Sequence, residues 1–188
     1  GGGTAWGLSG GTAIGQNAGL RLEFGDGVVA VGRNAAQGAT GSQAARQGSV
    51  FIGDYAGSYA NSNFNTVVGA FALYGVDNTS NPNKTVAVGY QAAYAVTTGD
   101  QNTAVGYQAG KTITTGNNIT VIGHQAEPSS ATTTNEITLG DANVALLRIP
   151  GLGSTDGHVL TYSTSSGGIV LAAAGGGGGA SDLNGLSD

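Results

Sequence analysis

The chain has no cysteine and no methionine among its 188 residues. Without cysteine it can form neither a disulfide framework nor a thiolate zinc site. Without methionine even at position 1, it reads as a piece or a processed product of something larger. Charge is scarce as well: six Lys/Arg and eleven Asp/Glu make up 9% of the chain and leave a net charge of −5. Nucleic-acid binders meet the phosphate backbone with clustered Lys/Arg, and no cluster exists here, so nucleic acid is not an expected partner. A helical membrane span needs roughly 20 consecutive apolar residues. The best candidate, "GGIVLAAAGG", is far too short, so no membrane partner is expected either.

What the chain has in excess is glycine, 36 residues against an average usage of roughly 7%. Collagen would need glycine at every third position, which is not the pattern. Disorder would need depleted aliphatics, yet Val, Ile and Ala are plentiful and regularly placed. The regularity is a repeat. An aliphatic-Gly-x-x-Ala element occurs as "TAIGQNAG", "VAVGRNAA", "VFIGDYAG", "TVVGAFAL", "VAVGYQAA", "TAVGYQAG" and "TVIGHQAE", with a degenerate "ITLGDANV". Its glycines are Gly15, Gly32, Gly53, Gly69, Gly89, Gly106, Gly123 and Gly140, spaced by 17, 21, 16, 20, 17, 17 and 17 residues. The two long periods contain "QGATGSQAARQGS" and "YGVDNTSNPNK", which should bulge from the wall as loops.

A 17-residue period is too short for a helix pair or a propeller blade and fits one turn of a β-solenoid. In the most regular periods a second aliphatic and a second glycine follow, as Leu22 and Gly25, Val96 and Gly99, or Ile113 and Gly116. Each coil should therefore hold two short strands with Gly/Asn corners, where left-handed backbone is cheap.

Parity within the first strand predicts its faces. The residue before each anchor glycine is Ile14, Val31, Ile52, Val68, Val88, Val105, Ile122 or Leu139, always aliphatic, and this column is expected to fill the coil interior. The residue before that is Ala13, Ala30, Phe51, Val67, Ala87, Ala104, Val121 or Thr138, so the opposite face is not plainly polar. A strand apolar on both faces is usually covered on both. The second face should pack on other copies of the chain, most simply in a homotrimer.

Four regions result. Residues 1–11, with Trp6, are a lead-in or cap; 12–150 hold the repeats, ended by Pro150. Residues 151–174 read as a β-hairpin connector, and 175–188 as a Gly-rich linker opening a further module.

The element "TVAVGYQAAYAVTTGDQN" resembles the head repeats of YadA-like trimeric autotransporter adhesins. It is also similar to the "NTAVGYQA" arrays of bacteriophage tail-fibre proteins. Likewise "NEITLGDANVALLRIPG" is similar to the strand that closes such arrays, and "DGHVLTYSTSSGGIVLAA" and "SDLNGLSD" resemble connectors of phage structural proteins. The resemblance implies an all-β fold: a left-handed parallel β-roll of about eight coils, assembled as a trimer. It implies a tail-fibre shaft or receptor-contacting head on the virion surface, or else a bacterial adhesin head on the cell exterior. Implied partners are a host cell-surface receptor and other fibre or baseplate proteins. The 21- and 20-residue periods depart from the regular unit of these families.

No catalytic, cofactor or metal constellation is legible, and the chain is expected not to be an enzyme. The aliphatic-Gly-x-x-Ala string also meets the hexapeptide rule of left-handed β-helix acyltransferases, a distant alternative. Here it occurs once per coil, and His124, the one histidine in the array, takes the position of Tyr90 and Tyr107 in neighbouring coils. Tyr90, Tyr107 and His124 are candidates for receptor contact, since aromatic rows join apolar area to a polar handle. Packing between subunits is the competing role for them.

Overall fold

In the computed structural model, the described residues are 10–20, 22–24, 27–38, 44–75, 80–144, 158–163 and 168–173. They contain strands and turns but no helix, so none is long and apolar enough to cross a membrane. The expectations for Trp6, Gly25, Pro150 and residues 174–188 lie outside the described residues.

Ten strands belong to the first unit, residues 1–144. They are β1 (Thr12–Ile14), β2 (Leu22–Phe24), β3 (Val29–Val31), β4 (Ala44–Ala45), β5 (Val50–Ile52), β6 (Thr66–Val68), β7 (Val86–Val88), β8 (Thr103–Val105), β9 (Thr120–Ile122) and β10 (Ile137–Leu139). Eight of them form one parallel sheet in the order β1-β3-β5-β6-β7-β8-β9-β10, the ladder of a β-solenoid of about seven turns. Register follows the repeat without slippage: Ala30 pairs with Phe51, Val67 with Ala87, Ala104 with Val121. The insertions of coils 2 and 4 are thus absorbed before the ladder resumes. Coils are numbered from their anchor glycines, coil 1 starting at Gly15 and coil 7 at Gly123.

The anchor glycines explain the repeat. From Gly15 to Gly123 they hold φ between 128° and 140°, a region that L side chains rarely adopt. They also stack, so a Cβ on Gly15 would lie 2.5 Å from the Gly32 carbonyl oxygen and one on Gly53 2.6 Å from that of Gly69. Two residues on, each coil turns through left-handed backbone at Asn17, Asn34, Tyr55, Phe71, Gln91, Gln108 and Gln125 (φ 51–56°). No β-branched residue stands there, as such a conformation requires.

The expected interior column is inverted. Ile14 (59% exposed), Ile52, Ile122 and Leu139 (51%) face outward, and Val31, Val68, Val88 and Val105 are half-buried. The interior is lined instead by Ala30, Phe51, Val67, Ala87, Ala104 and Val121, all 1% exposed or less. Space decides the matter. A narrow coil also has to hold Ala35, Ala56, Ala72, Ala92, Ala109 and Ala126 from the opposite corner, so the column that includes alanines turns in and the column made wholly of Val, Ile and Leu turns out.

Among the described residues the second strand per coil appears only as β2 pairing in parallel with β4. In coils 5 and 6 Val96 and Ile113 are buried as expected, but their segments form no strand. That wall is held by coil-to-coil bonds such as Thr97 N–H to Thr114 C=O at 2.9 Å and Thr114 N–H to Ala131 C=O at 2.8 Å. Buried asparagines close the next corner. Asn102 accepts from the Ile119 N–H (2.9 Å) and donates to the Gly116 carbonyl (2.8 Å), and Asn65 accepts from the Thr85 N–H (2.8 Å).

The second unit, residues 145–188, contains β11 (His158–Ser163) and β12 (Gly168–Ala173). They pair antiparallel, His158 opposite Ala173, as the hairpin expected there. The division between the two units falls after Val144.

Candidate functional site

Two walls of the coil stack carry the candidate surface, and the anchor glycine is the corner between them. The first is the outer face of the eight-stranded sheet. Each strand turns two residues outward, from Thr12 and Ile14 in β1 to Ile137 and Leu139 in β10, and all sixteen are Thr, Val, Ile or Leu. No charged or amide side chain interrupts this strip.

The second wall starts directly after the anchor glycines. Tyr90, Tyr107 and His124 are brought together as the sequence spacing predicts. Tyr90 and Tyr107 stack at 5.5 Å between ring centroids with planes 17° apart, and Tyr107 and His124 at 5.4 Å and 9°. Tyr90 is 42% and Tyr107 48% exposed. In coils 3 and 4 the row shifts one residue along, and Tyr55 stacks on Phe71 at 5.2 Å. Phe71 meets Tyr90 edge to face at 6.4 Å, which joins the two halves of the row.

Both ends of the row are charged. Arg33 lies 5.1 Å from the Tyr55 ring centroid and donates to Asp54 at 2.7 Å. That bond and the Asp54 charge raise the Arg33 guanidinium above its ordinary value. At the far end His124 Nδ1 lies 3.8 Å from an Asp141 carboxylate oxygen. Asp141 is held below the usual carboxylate range, first by bonds from the Asn143 side chain and backbone, then by His124.

Sequence reasoning did not pick out three further features. Glutamines beside the ring row form an amide ladder: Gln108 Nε2 donates to Gln91 Oε1 at 2.8 Å, and Gln125 Nε2 to Gln108 Oε1 at 3.1 Å. The recurring "YQA", "YQA", "HQA" was the legible signal for it. Tyr59, Tyr74 and Tyr94 widen the aromatic wall, with Tyr74 stacked on Tyr94 at 5.3 Å and edge-on to Tyr59 at 5.4 Å. Burial and these neighbours push the Tyr74 hydroxyl up from its ordinary value. Lastly, Arg46 is fully buried with no carboxylate partner among the described residues. It donates to the Gly57 carbonyl (2.9 Å) and the Gln37 carbonyl (3.1 Å), its guanidinium 5.5 Å from the Phe51 ring centroid. Desolvation lowers it to about 9. No signal in the repeat pattern distinguishes it from a solvated loop arginine.

Among the described residues no group of three or more His, Asp or Glu is placed to hold a metal ion. No family model, curated protein or solved structure matches the chain.

Proposed function

We propose that the chain is a non-catalytic, self-assembling segment of an attachment fibre. In this reading it is a homotrimeric part of a phage tail fibre, shaft or receptor-contacting head, carried on the virion surface. The observation that carries the reading is the outward Thr/Val/Ile strip of the eight-stranded sheet. A contiguous, uncharged strip of this kind on a chain with so few apolar alternatives marks an interaction surface. Its partner must match the coil rise in every coil, and a second copy in register does so without adjustment. With the Ala/Val column inside, the Thr/Val/Ile/Leu column is the face left to be covered by another copy.

Three copies is the number implied by the resemblance to YadA-like heads and phage fibres, and cyclic closure prevents open-ended aggregation. The same resemblance supports a host-surface receptor and neighbouring fibre or baseplate proteins as partners. A bacterial trimeric autotransporter-type adhesin head is the alternative owner of the same assembly. For the absence of catalysis, the support is that the ionisable groups serve coil-to-coil contacts, as Arg33 does with Asp54 and His124 with Tyr107 and Asp141. Acyl transfer, the distant alternative, would require His124 to act as a base from an open outer wall, where its side chain is 64% exposed.

Light scattering on the full chain tests the reading. A mass near three times 18.3 kDa, about 55 kDa, is expected. Ile122→Asp, on the outer strip, should lower that mass to one chain while leaving the β-sheet circular dichroism intact. A wild-type chain that stays monomeric at all concentrations overturns it.

A further inference from the structure

The glycine corner separates the sheet strip from a second surface with the same period. In coils 5, 6 and 7 each anchor glycine is followed by a ring and then an amide: Tyr90 and Gln91, Tyr107 and Gln108, His124 and Gln125. The rings turn their faces to one another, so the wall presents ring edges and phenol hydroxyls rather than open ring faces. Beside them the glutamines are already joined along the stack. A primary amide has two N–H donors and an oxygen with two acceptor sites, so each glutamine keeps a donor and an acceptor after its ladder bonds.

We infer that this wall is a binding rail for a neutral, extended, hydroxyl-rich polymer, a linear glycan lying along the coil stack. Charge selects against polyanions. These three coils offer no Lys or Arg on the rail, and a chain of net charge −5 repels acidic polysaccharides. Spacing selects against peptides. The rail repeats once per coil, about 4.8 Å, whereas an extended peptide sets like-facing side chains roughly 6.6 to 6.8 Å apart. After two coils a peptide is out of step. An equatorially linked pyranose chain has a monomer rise close to that of the coil and presents hydroxyls along both edges, matching a row of hydroxyls and amides. Each coil contributes a weak contact, and linked contacts raise the overall affinity. The inference rests on the attachment reading for its role, but it uses a different wall from the one assigned to self-assembly.

The test is titration of the full chain with neutral linear β-1,4-linked gluco- and N-acetylgluco-oligosaccharides of increasing length, followed by calorimetry and ligand-observed NMR. Affinity should rise with oligosaccharide length until three coils are spanned. Tyr107→Ala should weaken it about tenfold, the loss of one strong contact. Gln108→Asn keeps a residue suited to left-handed backbone while withdrawing the amide, and should weaken it similarly. Should Tyr107→Ala fail to fold, Tyr107→Phe, which keeps the ring and removes the hydroxyl, and Gln108→Asn must still show weakened binding. The inference is overturned if no neutral oligosaccharide binds, if sulfated dextran binds as well as they do, or if Tyr107→Phe and Gln108→Asn both leave binding unchanged. It is overturned as well if Tyr107→Ala dissociates the oligomer, since the rail would then be a seam between copies. Light scattering on the same samples separates the two readings: an intact wild-type oligomer without binding removes the rail alone, whereas a wild-type monomer removes the assembly.

Discussion

Coils 5 and 6 and coils 2 and 4 solve the same closure problem with different amounts of chain. The regular pair spends 17 residues per turn and fills its interior with Ala104, Val121, Val96, Ile113 and the corner alanines. There is no room to spare: a Cβ on Gly110 would meet Ile113 Cδ1 at 2.7 Å and Val121 Cγ2 at 2.9 Å. Coil 2 has 21 residues, and its extra length does not simply hang outside. Arg46 from the insertion is drawn fully inside and lies against Phe51, the one aromatic in the interior column. Coil 4, with 20 residues, tucks in Ser80 and Pro82, and Asn65 donates to the Pro82 carbonyl at 2.9 Å. Among the described insertion residues Arg46, Ser49, Ser80 and Pro82 turn inward, whereas Gln47, Gly48, Asn81 and Lys84 are exposed. The extra chain admits further groups to the interior, a guanidinium in coil 2 and a serine and a proline in coil 4.

The largest expected effect breaks a regular coil. Gly106 holds φ 140° with its Cα packed under the Gly123 carbonyl, so Gly106→Ala puts a methyl group into backbone that cannot recede. A loss of about 4 kcal/mol or more is expected, in the range reserved for backbone strain combined with overpacking. Gly27 is the control: its φ is 67° and nothing lies within 4 Å of the place a methyl group would take. Gly27→Ala should cost only the left-handed penalty, roughly 1–2 kcal/mol. Urea unfolding of the two variants measures both. Equal costs would mean that coil contact adds nothing to the glycine requirement.

A smaller effect belongs to the enlarged coil. Arg46→Ala removes the stem packed on Phe51 and leaves the Gly57 and Gln37 carbonyls without their donor. Roughly 2–5 kcal/mol should be lost, from the cavity and the unpaired acceptors together. Arg46→Met keeps most of the volume and removes a charge that burial disfavours, so it should cost less than the alanine variant. Thermal unfolding ranks them. If methionine is the worse replacement, the guanidinium bonds to the two carbonyls outweigh the filling of coil 2.

Which parts were legible follows from the same contrast. Glycine spacing gave the eight strands and their register, which enclose about seven turns rather than eight, because backbone stacking admits no substitute there. The aligned row of Tyr90, Tyr107 and His124 was legible for the same reason, a fixed offset from the anchor. Which strand face turns inward was not, because alternation in hydrophobicity cannot tell a thin interior from an outer strip that is equally apolar. Size summed over the column was the missing criterion: Ala30, Phe51, Val67, Ala87, Ala104 and Val121 turn inward with three alanines among them, whereas the outward column before the glycines has none. Arg46 stayed hidden because its burial depends on the volume opened by four extra residues, a quantity no local pattern reports.

The mildest prediction concerns coil 7, regular in length but closed differently. At the position where coils 2 to 6 bury Ser49, Asn65, Thr85, Asn102 and Ile119, this coil has Glu136, which stays half-exposed. Its carboxylate accepts from the Ser129 hydroxyl and N–H and from the Thr138 hydroxyl, and the Ser129 bonds are the main cause that holds it below the usual carboxylate range. A carboxyl whose pKa is depressed by folding lends stability that is present above its unfolded value and is lost as pH falls through the folded one. Acidification below the ordinary carboxylate range should therefore loosen residues 129–138, where one carboxylate takes three such bonds, more than coils 5 and 6, whose Asp100 accepts from Asn83 and whose Thr112 donates to Glu127. Hydrogen exchange at successive pH values reads the difference. In Glu136→Gln the pH dependence of that segment should disappear and its protection at neutral pH should fall slightly. A segment that loosens in acid to the same degree in both proteins would place the acid-sensitive group elsewhere.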